Sequence, residues 1–254
     1  MIKQLIKKAL AKKKCNVCGS RVYRFDSISE EYISYYKKAG FIVSFEDFET
    51  LHTEEYKCPF CNCNDRDRLI RLYIEEKILS GSSNKQQLLD IAPSTALRKS
   101  LQESEKISYR STDLYDEDVD DKSDIQNMHI YEENRFDLVI CSHVLEHVPD
   151  DRKALSEINR ILKPGGRCLL LVPIALGNHV YDEDLSQISK AEREKRFGQD
   201  DHLRLYTKPV FESRIQEAGF ELELADTSVL GKDRFYKNGI SAKSVLYIGK
   251  KKHQ

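Results

Sequence analysis

The stretch from Arg135 to Pro173 constrains the fold of this chain more than any other. It opens with the apolar run from Phe136 to Cys141, which is too short for a buried helix and rich enough in Leu, Val and Ile for a buried strand. Apolar residues then recur at helical spacing from Leu155 to Leu162, so one face of a helix is expected to lie on a sheet. The sequence Lys-Pro-Gly-Gly at 163–166 ends that helix, and a second buried strand follows over 167–172. The stretch therefore predicts one βαβ unit with parallel strands.

The same stretch carries a family resemblance. FDLVICSHVLEHV followed by ILKPGG resembles the fourth strand, the following helix and the fifth strand of class I S-adenosylmethionine-dependent methyltransferases. The resemblance implies an α/β fold with a doubly wound, Rossmann-like seven-stranded sheet. It also implies S-adenosyl-L-methionine as cofactor and an enzyme that transfers its methyl group.

Two cysteine pairs precede this domain, Cys15 with Cys18 and Cys58 with Cys61. Two C-x-x-C turns supply the four converging sulfurs that tetrahedral zinc requires, so we expect a structural Zn²⁺ site. Cys63 is an alternative fourth ligand in place of Cys61, and unrelated buried or reactive cysteines are the competing interpretation. The expected organisation is therefore an N-terminal basic helix and zinc-knuckle segment over 1–64 and a methyltransferase domain over 65–254. The aromatic-rich segment between the cysteine pairs is expected to pack on the knuckle or to cover the neighbouring domain.

The first strand of the main domain ends in Asp90-Ile-Ala-Pro-Ser-Thr, without the glycines that most class I methyltransferases have there. It resembles a bacterial subgroup in which an Ala-Pro turn replaces the glycines and a cysteine-rich segment precedes the domain. The resemblance implies a ribose-binding carboxylate after the second strand, adenine-binding residues after the third and cofactor contacts after the fourth. The cofactor-binding residues that it predicts are Asp90, Ala92, Pro93, Asp113, Asp124, Ile125, Ser142 and His143.

Two histidines are the candidates for general bases. His147 ends the sequence His143-Val-Leu-Glu-His, and His202 lies in FGQDDHLRLY, which resembles the subgroup's FGQxDHxRxY segment. The resemblance places the second sequence in a lid insertion at about 174–206, over the mouth of the site. His147 and His202 are accordingly predicted to be catalytic. The loop residues Asp200, Asp201, His202, Arg204 and Tyr206 are expected to supply acid, base and anion-binding groups, and a surface loop with a capping role is the competing interpretation. The first sequence also spells H-x-x-E-H, an inverted zinc-protease motif, but its place in a strand-to-helix turn of a βαβ unit argues against that interpretation.

Composition bears on location and partners. The formal net charge of −1 gives no strong whole-surface attraction to nucleic acid. No apolar run approaches the roughly 20 residues that span a bilayer, and the N-terminus has no secretory pattern, so a cytoplasmic protein is expected. The basic segment 2–14 is expected to dock on its own protein or to contact a membrane surface peripherally.

We expect O- or N-methylation of a small-molecule or glycan acceptor. One alternative is an RNA methyltransferase acting on ribosomal or transfer RNA, because a four-cysteine knuckle also precedes such a domain. Another is a non-catalytic methyltransferase-like binding module, since the first turn lacks glycine.

Overall fold

The structure is a computed structural model that describes residues 12–81 and 83–253. Most of the expected basic helix, residues 2–11, lies outside the described residues. Within the described ranges, no helix combines the length and the apolar character needed to cross a membrane.

A seven-stranded sheet forms the centre of the molecule, and its βαβ units come from alternating apolar strands and amphipathic helices. Two short strands precede it, β1 (Lys13–Lys14) and β2 (Arg21–Val22). Its own strands are β3 (Gln86–Ile91), β4 (Ile107–Asp113), β5 (Asp121–Lys122), β6 (Phe136–Ser142), β7 (Leu162–Leu171), β10 (Phe220–Ala225) and β11 (Leu246–Lys251). A small antiparallel pair, β8 (Asp182–Glu183) and β9 (Arg204–Leu205), lies in the insertion between β7 and β10.

The strand order across the sheet is β10-β11-β7-β6-β3-β4-β5. Strands β3 to β7 pair in parallel, whereas β11 is antiparallel to both β7 and β10. The order reverses between β3 and β6, and ligands of doubly wound sheets bind in the crevice at such a reversal. The expected doubly wound α/β fold with seven strands is therefore present.

Helices cover both faces of the sheet. They are α1 (Glu30–Ala39), α2 (Asp65–Tyr73), α3 (Thr95–Gln102), α4 (Asp151–Ile161), α5 (Lys190–Phe197), α6 (Lys208–Glu217), α7 (Thr227–Leu230) and α8 (Lys232–Lys237). The apolar faces of α4 and α6 are buried in one core cluster, and those of α2, α3 and α8 in another on the opposite face. Helix α2 continues as a π-helix over Ile74–Leu79.

One strand differs from the prediction. β7 begins at Leu162 rather than near residue 167, because Leu162 already pairs with Phe136 of β6 and the register then shifts before Leu138 pairs with Arg167. This backbone path requires glycine at position 166, because a Cβ there would lie only 2.8 Å from the carbonyl oxygen of Lys163.

The N-terminal cysteine-rich segment is fastened to the main domain by a buried arginine. Arg68 of α2 is fully buried, and its guanidinium donates hydrogen bonds to five backbone carbonyls. These carbonyls belong to both ends of the chain: Glu55, Tyr56, Cys63, Asn238 and Gly239.

Two further contacts join the N-terminal segment to the last strand. The Tyr247 hydroxyl donates to the buried carboxylate of Glu49 at 2.8 Å. The hydroxyl of Thr50 donates to the carbonyl of Val245 at 3.1 Å. The segment 45–56 is thereby held over the carboxyl end of the sheet.

Candidate functional site

A cavity of about 310 Å³ lies at the carboxyl ends of β3, β4 and β6, where the strand order reverses. We call it the cofactor cavity. Its size falls in the range of about 300–1,000 Å³ that is usual for small-molecule sites. The residues lining it are Ile91, Ala92, Asp113, Leu114, Tyr115, Ser123, Asp124, Ile125, Gln126, His143, Val144, His147, Val148, Pro149 and Asp201.

Two non-glycine residues of this cavity have left-handed backbone conformations. Ala92, directly after β3, has φ of +53°, and His143, directly after β6, has φ of +58°. The left-handed region costs an L-residue roughly 1–2 kcal/mol. Ala92 thus occupies the backbone conformation for which glycine is usually selected, and the glycine-free turn is tight despite its sequence. Strain of this kind tends to persist at ligand sites.

The two carboxylates predicted to bind the nucleoside are fixed by their own loops. Asp113 Oδ1 accepts hydrogen bonds from the backbone N–H groups of Tyr115 and Asp116, at 2.6 and 2.8 Å. Asp124 accepts from the backbone and side-chain N–H groups of Gln126, at 2.8–3.2 Å. Both carboxylates line the cofactor cavity with Ile125, as their predicted roles require.

Three predicted cofactor residues are not among the described residues that line this cavity: Asp90, Pro93 and Ser142. Asp90 lies beneath it, fully buried, with its carboxyl accepting a hydrogen bond from the Tyr109 hydroxyl at 2.9 Å. Burial raises the pKa of Asp90 to about 7. A direct cofactor contact for these three residues remains a prediction.

A second cavity, of about 190 Å³, adjoins the first, and we call it the acceptor cavity. Three separate parts of the chain form it: the N-terminal segment, the ends of β6 and β7, and the insertion after β7. Its aromatic wall consists of Tyr32, Tyr36, Phe41, Phe45, Phe48, Tyr56 and Phe197. Its polar side chains include Arg66, His143, Glu146, His147, Gln199 and His202.

The two cavities meet at His143 and His147, which line both. His143 Nδ1 lies 3.1 Å from Glu146 Oε1, and His147 Nδ1 lies 3.1 Å from Asp201 Oδ2. The rings of His147 and His202 stand edge to face with centroids 4.6 Å apart. Burial lowers the pKa of His143 to about 4 and also lowers the pKa of His202, so both rings are neutral at pH 7.

The polar residues of the insertion after β7 fall into two groups, those that line the cavities and those that are buried. His202 and Asp201 reach the cavities, but Arg204 and Tyr206 are fully buried. Arg204 donates to the carbonyls of Leu145, Val148 and Pro149 and to the carboxylate of Glu183.

The Tyr206 hydroxyl donates to Asp151 Oδ2 at 2.6 Å. The expectation that Arg204 and Tyr206 supply anion-binding and acid groups is therefore wrong. They are buried against the turn at 145–151 and add side-chain hydrogen bonds to its backbone carbonyls and to Asp151.

The predicted cysteine ligands come together. The sulfur atoms of these four cysteines, Cys15, Cys18, Cys58 and Cys61, all lie within 4.8 Å of one another. The Cys15–Cys61 and Cys18–Cys58 sulfur distances are 3.8 and 3.9 Å, close to the edge of about 3.8 Å of a tetrahedron with Zn–S bonds of about 2.3 Å. Cys63 Sγ lies 3.4 Å from Cys15 Sγ and 4.0 Å from the Arg68 guanidinium, which makes it a neighbour of the group. The donor set fits zinc.

Comparison with known families agrees with the fold. A family model described as a methyltransferase domain matches residues 59–225, which is more than half of the chain. The chain belongs to this family. It is thus a member of the class I S-adenosylmethionine-dependent methyltransferases, the family that the strand and turn sequences predicted.

Individual relatives match only parts of the methyltransferase. The uncharacterized protein YafE of Escherichia coli is 35% identical over 88 residues, covering 35% of this chain and 40% of that protein. The ubiquinone/menaquinone biosynthesis C-methyltransferase UbiE of Brucella canis is 44% identical over 57 residues, 21% of each chain. This chain thus spans less than half the length of these curated relatives. A Haemonchus contortus phosphoethanolamine N-methyltransferase 2 structure with S-adenosyl-L-methionine aligns over 76% of this chain and 53% of that one, with 15% identity and a TM-score of 0.48.

Sequence reasoning missed much of the acceptor side of the methyltransferase. The aromatic residues were noticed, but their position over the turn after β6 depends on packing between distant segments, which local pattern does not show. Arg66, next to the capping residues of α2, carried no signal beyond its charge. Glu146 was visible in the H-x-x-E-H sequence, and its approach to His202 was not, because 55 residues separate the two turns.

Proposed function

We propose that this methyltransferase transfers the methyl group of S-adenosylmethionine to a small-molecule or glycan acceptor bound in the acceptor cavity. The observation that carries the proposal is that His143 and His147 line both cavities, so a donor in one and an acceptor in the other meet at these residues. When bound, S-adenosylmethionine supplies an activated methyl on a sulfonium sulfur, whose S–C bond breaks as the acceptor–carbon bond forms. The protein's main contribution is then to hold the two partners in line.

The cofactor cavity has the groups that a nucleoside requires. The Asp113 carboxylate at the end of β4 is placed to accept the ribose hydroxyls. Asp124 is placed to accept the adenine amino group, and Ile125 provides an apolar surface beside it. The tight turn at Ala92 brings backbone close to the methionine portion.

The acceptor cavity favours a small acceptor with one flat or apolar face. Its aromatic wall offers stacking surfaces for an aromatic or sugar ring. Arg66, in the same cavity, offers a positive charge to an acidic acceptor group. A volume of about 190 Å³ suits a single ring or a similar group.

An acceptor hydroxyl would need to lose its proton during transfer, whereas an acceptor amine would not need a base before attack. His147 and His202 are the predicted proton acceptors, and both line the acceptor cavity. The Nδ1–H of His202 donates to the Phe197 carbonyl at 3.0 Å, which leaves Nε2 with its lone pair available to the cavity.

We further propose that the four cysteines hold a structural zinc ion. Zinc would fix the two ends of the segment 15–61, and six of the seven residues of the aromatic wall lie between those ends. A closed four-sulfur site keeps no position for a substrate, so its contribution would be to the shape of the acceptor cavity.

Thermal unfolding with and without S-adenosylmethionine and its demethylated product tests cofactor binding directly. Ligand at 100 times its dissociation constant should stabilise the native state by about 2.7 kcal/mol, which shifts the melting temperature of a domain this size by roughly 5–10 °C. The Asp113→Asn variant should lose most of the shift, and Asp118→Asn, an exposed carboxylate of the same loop, should keep it. No shift in zinc-replete wild type would refute the proposal and favour the non-catalytic module.

A gel-shift titration with ribosomal and transfer RNA separates the alternative acceptor class. We expect weak binding that disappears at physiological salt, because the formal net charge is −1. Tight binding that survives moderate salt would favour the RNA methyltransferase instead.

A further inference from the structure

Three side chains at the junction of the cavities form a group that methyl transfer alone does not explain. Glu146, His147 and His202 each offer one ligand atom, and these atoms lie within 4.8 Å of one another. We call this group the triad. Glu146 is fully buried and His202 is 3% exposed.

The carboxylate of the triad is buried. Neither oxygen of Glu146 has a hydrogen-bond partner among the described residues. A buried carboxylate without hydrogen bonds or a cation is strongly unfavourable. His143 Nδ1 lies 3.1 Å from Glu146 Oε1, so a polar contact with this neutral imidazole is the competing explanation.

Each histidine of the triad has an oxygen atom close to its Nδ1. His202 Nδ1 donates to the Phe197 carbonyl, and its Nε2 is buried without a hydrogen-bond partner among the described residues. His147 Nδ1 faces the Asp201 carboxylate at 3.1 Å. Metal-binding histidines commonly donate one ring N–H to a carbonyl or carboxylate in this way, which fixes the ring and leaves the other nitrogen for the metal.

We propose that Glu146, His147 and His202 bind a first-row divalent metal ion at the junction of the two cavities. Two imidazole nitrogens and one carboxylate form a donor set typical of open zinc and iron(II) sites. Bonds of about 2.0–2.2 Å place such ligand atoms roughly 3–4 Å apart, near the spacing of the triad. The four-cysteine group is a separate site with a different donor set.

Three protein ligands leave positions open, and the triad borders the acceptor cavity. The ligand class that fits these positions is an acceptor with a hydroxyl or carboxylate oxygen, whose remaining surface rests on the aromatic wall. This part of the inference rests on the proposed function. A metal-bound hydroxyl loses its proton at a lower pH than a free one, so the metal would replace the histidines as the means of activating the acceptor.

Cobalt binding tests the site without any acceptor. Full-length protein with its cysteine site loaded with zinc is dialysed and titrated with Co²⁺, and bound metal is counted by mass spectrometry. We expect one further Co²⁺ per chain, with weak visible bands and without the intense near-ultraviolet bands of cobalt–thiolate bonds. Those bands would appear only if Co²⁺ displaced zinc from the cysteines.

Variants identify the ligands. Glu146→Gln and His202→Gln should weaken Co²⁺ binding by more than about 100-fold, beyond the 10- to 100-fold typical of outer-shell changes. Glu49→Gln is the matched control, because Glu49 is also a buried glutamate but accepts a hydrogen bond from Tyr247, and it should bind Co²⁺ normally. The inference is overturned if wild type binds no metal beyond the cysteine site, or if Glu146→Gln binds Co²⁺ as tightly as wild type.

Cofactor titrations keep this result separate from the proposed function. Each variant is also checked by its melting temperature and by calorimetric titration with S-adenosylmethionine. Loss of Co²⁺ binding with cofactor binding retained supports the triad as a metal site. Co²⁺ binding in a protein that does not bind the cofactor would leave the metal site standing and refute methyl transfer.

Discussion

The cofactor cavity and the acceptor cavity share two histidines, yet they are built in different ways. The cofactor cavity is formed mainly by turns that directly follow β3, β4, β5 and β6, so the sheet itself positions its residues. The acceptor cavity needs the N-terminal segment and the insertion after β7 to close over the same strand ends. The proposed cofactor site thus rests on the ends of the sheet strands, and the proposed acceptor site also depends on two segments that pack over those ends.

The largest loss of stability is expected when Arg204 is replaced, because this residue supports the turn that borders both cavities. Arg204→Met removes the buried guanidinium that binds the carbonyls of the 145–149 turn. It also removes the nearer cation beside Glu183, which keeps a contact with Arg214 at 3.9 Å. Breaking a buried charged network of this kind costs about 3–5 kcal/mol. Urea unfolding should show this loss, and cofactor affinity should fall as well.

Arg152→Met is the control for that measurement. Arg152 is an exposed arginine that pairs with the exposed Glu217, and its loss should change the unfolding free energy by less than about 0.5 kcal/mol. Equal stability of the two variants would show that the 145–149 turn does not need Arg204.

The pH dependence of unfolding tests a single residue next to the cofactor cavity, Asp90. The folded pKa of Asp90, about 7, lies above its unfolded value, so its stabilising contribution is complete below about pH 4 and is lost as the pH rises through 7. Asp90→Asn does not ionise and keeps an acceptor for the Tyr109 hydroxyl. Its stability relative to wild type should therefore rise between pH 4 and pH 8, by at most about 4 kcal/mol.

Urea unfolding at pH 4, 6 and 8 measures this difference. Asp118→Asn, at a carboxylate that is 91% exposed, is measured in parallel as the exposed control. A constant difference between Asp90→Asn and wild type would mean that the Asp90 carboxyl ionises normally in the folded protein.

A matched pair of variants separates the two cavities. Asp113→Asn should weaken S-adenosylmethionine binding by about 10- to 100-fold, since it replaces a charged acceptor of the ribose hydroxyls. Phe45→Ala removes a ring that lines only the acceptor cavity and should leave cofactor affinity within about twofold. Calorimetric titration measures both constants. If Phe45→Ala weakened cofactor binding as much as Asp113→Asn, the division into two cavities would be wrong.

The smallest effect concerns the turn after β3. Ala92→Gly relieves a left-handed residue and should raise the unfolding free energy by up to about 1 kcal/mol, once the greater flexibility of unfolded glycine is subtracted. Ala96→Gly makes the same chemical change inside helix α3 and should instead cost about 0.5–1 kcal/mol. Opposite signs in denaturant unfolding would confirm strain at Ala92, and a loss in both would contradict it.

Prediction from sequence succeeded where local pattern and chain order determine position. The apolar runs of β3, β6 and β7 and the turn residues Ala92, Asp113 and His143 could be placed because residues directly after a parallel strand lie at the carboxyl edge of the sheet. The approach of the four cysteines to one another could be predicted because two C-x-x-C turns have the spacing that a four-sulfur group requires, and the zinc ion itself stays a prediction.

Prediction failed where burial decides the role of a residue. Arg204 and Tyr206 were interpreted as reactive groups because they are polar and close to His202 in sequence. Their burial beneath the 145–151 turn depends on how the insertion packs, and nothing in the local pattern distinguishes a buried arginine from an exposed one. The aromatic segment covers the main domain, which was one of its two expected positions, but the placement of its individual rings and of Arg66 depends on the same kind of packing.

The bonds from Arg68 and Tyr247 also set an order of assembly during synthesis. Arg68 binds the carbonyls of Asn238 and Gly239, and Glu49 is held by Tyr247 in the last strand. During synthesis the N-terminal segment leaves the ribosome before these partners exist. The attachment of this segment to the sheet can therefore be completed only after β11 has been made, and a chain that stops before residue 238 would lack these bonds of Arg68 and Glu49.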